Sequence, residues 1–152
     1  MEKIIKNILK KLNNMKKNTF LECMEIKFIF LSIKLDYLIA KMPIRKKFLQ
    51  PFGYLHGGAA MTLAESVGSS LSFLNLKKVE KKFFNVFNIE ITFNHIKYIK
   101  NGFLFAKSKI FHKGKTLHFI RTNIVNEKND LISFCKMTNI IIKKKYGQKN
   151  KN

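Results

Sequence analysis

Between Lys47 and Lys77 the chain carries one formal charge, Glu65, although 26% of all its residues are Asp, Glu, Lys or Arg. At that rate the stretch would hold about seven or eight charges, and a segment stripped of them is built to lie inside something. It opens with Gln50-Pro51-Phe52-Gly53, passes through His56-Gly57-Gly58, and runs into Leu63-Ala64-Glu65-Ser66. Pro51 and Gly53 mark a loop, and from Gly57 the pattern predicts a helix to about Leu74. The small residues Gly57, Gly58, Ala59, Ala60, Ala64, Gly68, Ser69 and Ser70 let that helix come close to other backbone. A helix wrapped by a curled sheet would need them.

The rest of the chain supplies the strands. Met24–Ser32 and Tyr37–Met42 read as two, joined by a polar turn at Lys34–Asp36 and stopped by Pro43, which cannot donate to a ladder. Four more follow: Val86–Ile96, Gly102–Phe111, Leu117–Val125 and Leu131–Ile142. In the first of these, Phe87, Ile89, Ile91 and Phe93 alternate with Asn88, Glu90, Thr92 and Asn94, so each set falls on its own face. The connections Lys100–Gly102, His112–Lys115 and Asn126–Asp130 are short and polar, which predicts consecutive antiparallel neighbours. With 152 residues there is room for one domain. The expected layout is α+β: a helix and linker over 1–19, a sheet-and-helix domain over 20–142, and a basic disordered tail over 143–152.

In the N-terminal helix Ile4, Ile5, Ile8, Leu9 and Leu12 recur at helical spacing but are interrupted by Lys6, Lys10 and Lys11, so no signal-peptide core forms. A helix this short is expected to dock on the domain rather than on a membrane. The apolar run Phe28–Leu31 is too short to cross a bilayer. These features predict a cytoplasmic protein with no membrane partner.

The net charge of +21 would suit nucleic acid or an anionic surface. Only Arg45 and Arg121, however, are arginines, the residue favoured for bidentate phosphate and guanine recognition. Abundant Lys, Asn, Ile and Phe have codons rich in A and T, so a biased genome produces the same excess, and no nucleic-acid partner is expected. Cys23 and Cys135 stand far apart without metal spacing and read as small core or sheet residues in a reducing compartment. The histidines are scattered, and neither a metal nor a cofactor is expected.

Chemistry concentrates on the central helix. Gly58, Thr62, Glu65 and Ser69 fall at i, i+4, i+7 and i+11 and share one stripe. At the helix N-terminus the first amides lack intrahelical partners, and glycines at 57 and 58 let a carbonyl approach them without meeting a Cβ. A carbonyl polarised there is open to attack by water activated by a carboxylate, or by the carboxylate itself. An ordinary solvated glutamate is the competing reading of Glu65. Against it, the neighbours at i±3 and i±4 are Met61, Thr62, Gly68 and Ser69, with no lysine to support a charge ladder. His95 closes the apolar phase of its strand and reads equally as a hydrogen-bonded strand-end residue. For His118 no reading beyond a strand residue emerges. The turn His112-Lys113-Gly114-Lys115-Thr116 suits a pyrophosphate, though a solvated hairpin has the same composition.

The run Gln50–Ser70, with Gln-Pro-Phe-Gly, His-Gly-Gly and Leu-Ala-Glu-Ser, resembles the hotdog-fold acyl-CoA thioesterases, in the branch of phenylacetyl-CoA thioesterases and 1,4-dihydroxy-2-naphthoyl-CoA hydrolases. The likeness extends through Ile89-Glu90-Ile91, Asn94-His95 and the His112-x-Gly114 turn, covering roughly residues 20–142. It implies an antiparallel sheet rolled around the central helix, in homodimers or homotetramers with active sites between subunits. It also implies that Glu65 is the catalytic carboxylate, that Gln50 and His56 position the thioester carbonyl and the water, and that Gly57 or Gly58 donates to the oxyanion. Ser69 would line the site, Phe52 and Val67 would face the acyl group, and His95, Lys97, His112, Lys113, Gly114, Lys115 and Thr116 would meet coenzyme A, which is part of the substrate. At Lys97 relatives often have Arg, so the charge is kept and the bidentate fork lost.

The implied reaction is hydrolysis of an aromatic acyl-CoA, of the 1,4-dihydroxy-2-naphthoyl-CoA type used in menaquinone synthesis, to the free acid and CoA. Housekeeping hydrolysis of acyl-CoA or acyl-carrier-protein thioesters uses the same residues. A hotdog dehydratase is disfavoured because no His-Phe-Pro pattern occurs. A non-catalytic ligand-binding hotdog protein would not need a lone carboxylate beside Gln50 and His56.

Overall fold

The protein is described from a computed structural model, over residues 2–76 and 80–144. The predicted basic tail lies outside the described residues apart from Lys143 and Lys144.

The central helix, α3 in chain order, spans Gly57–Leu74. It is preceded by α1 (Glu2–Met15), the one-turn α2 (Phe20–Cys23), β1 (Lys27–Leu31), β2 (Tyr37–Pro43) and a 3-10 turn at Lys46–Phe48. After it come α4 (Glu80–Phe83), β3 (Phe84–His95), β4 (Phe103–Lys113), β5 (Leu117–Val125) and β6 (Leu131–Lys143). All six strands form one antiparallel sheet in the order β1-β2-β4-β5-β6-β3. The α+β layout is as expected, with α3 packed against strands β2 to β6.

Strand periodicity builds the face that meets α3. Leu38, Ala40 and Met42 of β2, Leu104 and Ala106 of β4, and Ile120 and Ile124 of β5 are buried against Leu63, Ala64, Val67 and Leu71 of α3. Burying each large aliphatic side chain of this set stabilises the fold by about 1.5–3 kcal/mol. The strands approach α3 closely: a Cβ on Gly68 would stand 2.3 Å from Met137 Sδ. The polar groups that share this face pair with one another, Ser108 Oγ with Thr122 Oγ1 at 2.7 Å and Ser72 Oγ with His118 Nδ1 at 2.9 Å. Cys135 belongs to the same layer, and burial pushes its thiol up to about 11, which makes it inert. Cys23, by contrast, is exposed on α2 and is not a core residue.

Helix α1 docks on this body through the side predicted by its spacing. Leu12 is buried in the core, and Ile5, Ile8 and Leu9 pack against it. Asn13 fastens the helix to β1: its Nδ2 donates to the Phe28 carbonyl and its Oδ1 accepts from the Phe28 amide. No helix among the described residues is long and apolar enough to cross a membrane.

Two expectations need correction. β3 and β4 are not neighbours: β3 crosses to the far edge and pairs with β6, leaving its other edge unpaired among the described residues. The clean alternation along β3 also fails, because the register shifts between Asn88 and Glu90. One extra residue there reverses the phase. Ile91 and Phe93 therefore pack toward the core, while Phe87 and Ile89 stand 52% and 57% exposed.

Candidate active site

Helix α3 fixes the site residues, and the sequence before it fixes its start. His56 is the N-cap, with its Nδ1 accepting from the Gly58 amide at 2.9 Å. That bond settles two points. The proton of the neutral imidazole sits on Nε2, and the Gly58 amide is already satisfied. The Gly57 amide, which has no hydrogen-bond partner among the described residues, remains as the free donor of the pair expected from sequence. Upstream, the Gln50 side-chain oxygen accepts from the Phe52 amide, so its NH2 group is the free end.

Two turns farther along α3, Glu65 is half-buried, and its Oε1 accepts from Ser69 Oγ at 2.9 Å, as the shared stripe predicts. It lines a cavity of about 530 Å³ whose apolar surface comes from Leu12, Leu21, Phe28, Phe73 and Phe87. Ser66, Ser69 and Ser70 add hydroxyls along the α3 wall, and Asn85 and Val86 bring in the start of β3.

Gln50 and Gly57 lie elsewhere. Together with His95 and Lys97 they line a second cavity, of about 390 Å³, at the N-terminal end of α3 and the C-terminal end of β3. The His95 ring covers Gly57 and is held by Ser133, whose Oγ is 3.0 Å from Nδ1. A third cavity of about 520 Å³, at the other end of α3, is lined by Asn75, Phe84, Lys113, Gly114, Lys115 and His118. Lys113 Nζ donates to Asn75 Oδ1 there at 3.3 Å. His118 is a buried side chain whose pKa burial draws below the usual histidine value, with the charge on Lys113 acting in the same direction.

The expected residues thus divide among three places. Eight residues of helix separate Gly57 from Glu65, a rise of roughly 12 Å, so in one chain the free amide and the carboxylate do not reach the same carbonyl. This corrects the reading from the residues alone, in which Glu65 acts on a carbonyl bound at its own helix N-terminus; the resemblance implied active sites between subunits. Val67 is also corrected: it is fully buried in the core and lines none of these cavities. Phe52 is 84% exposed at the tip of its turn and lines none either. His112 falls within the end of β4 rather than on the expected turn, with its ring packed against Phe119, and Thr116 is exposed on the β4–β5 turn. Sequence reading missed the contribution of α1, α2 and the turn between them, whose Leu12, Met15, Lys16, Thr19 and Leu21 line the Glu65 cavity. The amphipathic pattern showed that α1 docks, but not where. Among the described residues no group of His, Cys, Asp and Glu is placed to hold a metal.

A sequence model of the thioesterase superfamily matches residues 52–133, more than half of the chain. The chain belongs to the thioesterase superfamily. Within that superfamily it is 32% identical over 134 residues to the 1,4-dihydroxy-2-naphthoyl-CoA hydrolase of Escherichia coli, covering 88% of this chain and 94% of the relative. It is 31% identical over 114 residues to the enzyme of the same name from Listeria monocytogenes, covering 75% and 89%. A thioesterase crystal structure from Pseudomonas aeruginosa superposes with a TM-score of 0.83 at 27% identity, covering 90% of this chain and 94% of that one. One from Haemophilus influenzae gives 0.82 at 27% identity, covering 89% and 90%. The fold is the hotdog fold of these thioesterases, and the protein is a thioester hydrolase.

Proposed function

We propose that the protein hydrolyses an aromatic acyl-CoA thioester, of the 1,4-dihydroxy-2-naphthoyl-CoA kind, at sites shared between two copies of the chain. The observation that carries this reading is the way β3 links the cavities. Its start, Phe84 to Phe87, borders the Lys113–Lys115 cavity and the Glu65 cavity, and its end, His95, borders the Gln50–Gly57 cavity. Two copies joined antiparallel along their free β3 edges would bring the end of one strand beside the start of the other. Glu65 of one copy then meets Gln50, His56 and the Gly57 amide of the second, twice over by symmetry. Exposed Phe87 and Ile89 on that strand are the apolar surface such a pairing would cover.

In the assembled site the thioester oxygen accepts from the Gly57 amide, where the helix dipole favours the charge that develops on it. Gln50 offers its NH2 group, and His56 its Nε2–H, to the carbonyl or the attacking water. Glu65 takes a proton from water as the water oxygen bonds to the carbonyl carbon; the C–S bond then breaks and the thiolate of CoA takes up the proton. Direct attack by the Glu65 carboxylate, forming an anhydride that water cleaves, uses the same geometry. Single-turnover hydrolysis in ¹⁸O-water identifies direct attack when water cleaves the anhydride at the Glu65 carbonyl, because the label then enters Glu65 and not the released acid. The acyl ring lies among Leu21, Phe28 and Phe73, and Lys97, Lys113 and Lys115 face the nucleotide.

The test is thiol release from a panel of CoA thioesters ranked by kcat/KM. Naphthoyl- and benzoyl-CoA are expected to exceed long-chain acyl-CoA, and Glu65→Gln to lower the rate by about 10²-fold or more. A preference for fatty acyl chains would replace the aromatic reading with a general thioesterase, and an undiminished Glu65→Gln rate would remove Glu65 from the chemistry.

A further inference from the structure

The Glu65 cavity contains a second charged side chain that the thioester chemistry does not use. Lys16, just past the end of α1, lines it from the side opposite α3. Its ammonium donates one hydrogen bond, to the Ile26 carbonyl, which fixes where the head group sits. Glu65 and Lys16 share the cavity but form no ion pair with each other: Glu65 is bonded to Ser69, and the acids paired with cations among the described residues are Glu2, Glu25 and Asp130. Partial burial draws Lys16 below the usual lysine pKa, with Glu22 opposing and Lys27 adding to the shift.

A lysine that served only to tie Ile26 in place would need one donor. This one keeps two N–H groups free beside a cavity whose other polar lining is the Glu65 carboxylate, the Asn85 amide and hydroxyls of Thr19, Ser66, Ser69 and Ser70. An acyl ring seated against Phe28 and Phe73, with its thioester toward Glu65, would turn its far side toward α1.

We propose that Lys16 is a specificity residue, selecting acyl groups whose ring carries a hydrogen-bond acceptor or a negative charge away from the thioester. A ring hydroxyl, as phenol or phenolate, is the simplest such group. Hydrogen bonds to an ionised partner are stronger than neutral ones, and a site built to hold a substrate hydroxyl discriminates against the analogue that lacks it. The inference rests on the proposed aryl-CoA reading and deepens it.

The experiment measures kcat/KM for benzoyl-CoA and its three ring-hydroxylated isomers with the parent, Lys16→Met and Lys16→Arg, alongside a thermal melt of each. The parent is expected to favour at least one hydroxylated isomer over benzoyl-CoA by about tenfold or more. Lys16→Met should bring that ratio close to one, and Lys16→Arg, which keeps the charge, should retain most of it. Should Met at this corner prevent folding, Lys16→Gln preserves a donor for Ile26 while removing the charge, and it should still reduce the ratio. An unchanged ratio in folded Lys16→Met or Lys16→Gln, or equal losses on all four substrates in either, overturns the inference while leaving the aryl-CoA reading intact. Cleavage of fatty acyl-CoA alone, dependent on Glu65, overturns both.

Discussion

The imidazole of His95 rests on the bare Cα of Gly57, so close that a Cβ built there would stand 2.6 Å from Nε2. The ring has little freedom to yield: Nδ1 is 3.0 Å from Ser133 Oγ and the ring packs on Phe93 at 4.8 Å between centroids. Gly57 also carries the amide assigned to the oxyanion. A side chain at this position therefore disturbs the donor and its cover together.

Gly57→Ala is expected to lower kcat/KM by about 10- to 100-fold, since displacement near 1 Å in a positioned site costs that much. Stability should change little, because alanine favours helix and offsets part of the crowding. Steady-state kinetics with a thermal melt checks both. A variant with parental kcat/KM would show that displacing the His95 ring from Gly57 does not disturb turnover.

Gly68 shows the same kind of closeness without the chemistry, since its missing Cβ would lie 2.3 Å from Met137 Sδ and 2.8 Å from Cε. Gly68→Ala forces a buried methionine to move, an overpacking cost of about 1–3 kcal/mol. Helix propensity returns about 1 kcal/mol of it. Urea denaturation should show a net loss of stability, and a gain would mean that Met137 has room the structure does not give it.

His118 sets a pH dependence. Burial holds its pKa below the ordinary value, so between the two values the unfolded chain binds the proton more readily than the folded one. Its contribution is complete above the unfolded pKa of about 6.5 and is lost as pH falls below that toward the folded value. Denaturant midpoints measured between pH 7.5 and 5 should decline more steeply for the parent than for His118→Gln. Parallel curves would place the acid sensitivity elsewhere.

How far the sequence could be read follows from what each signal contains. Charge depletion and small residues fixed α3 to within a residue, and short polar turns with clean alternation gave β5 its observed ends. The place of β3 was not legible, because a link such as 96–102 serves a hairpin or a crossing equally well. Nor was the bulge at Asn88–Glu90, since alternation continues through an inserted residue and only the partner strand reveals the change of phase. Glu65 stood out by its isolation, whereas Lys16 is one lysine among many until α1 is seen beside it. The separation of Glu65 from Gly57 was available from helical rise alone; the shared stripe pointed away from it, whereas the resemblance already implied active sites between subunits.

The exposed Phe87 and Ile89 on the unpaired β3 edge give the assembly a direct test. Phe87→Glu with Ile89→Glu introduces charges where two copies would meet, and like charges facing each other across a strand pair oppose it. Sedimentation should show a monomer with parental circular dichroism and thioesterase activity reduced to background. A double variant that still sediments as the parent does would move the interface elsewhere.

Mixing two inactive variants tests the division of the site most sharply. If Glu65 of one copy serves the Gln50 half of the other, a dimer of Glu65→Gln with Gln50→Ala has one site bearing both changes and one bearing neither. Co-expression in equal amounts makes half the dimers mixed, each with one of its two sites intact, so activity should return to about a quarter of the parent's. Each variant expressed alone must first be shown to fold and to be inactive. A site contained within one chain offers no such rescue, because every chain in the mixture is damaged. Recovery in the mixture therefore requires the catalytic acid and its carbonyl-positioning partner to come from different chains, and its absence in verified mixed dimers would return the whole reaction to a single subunit.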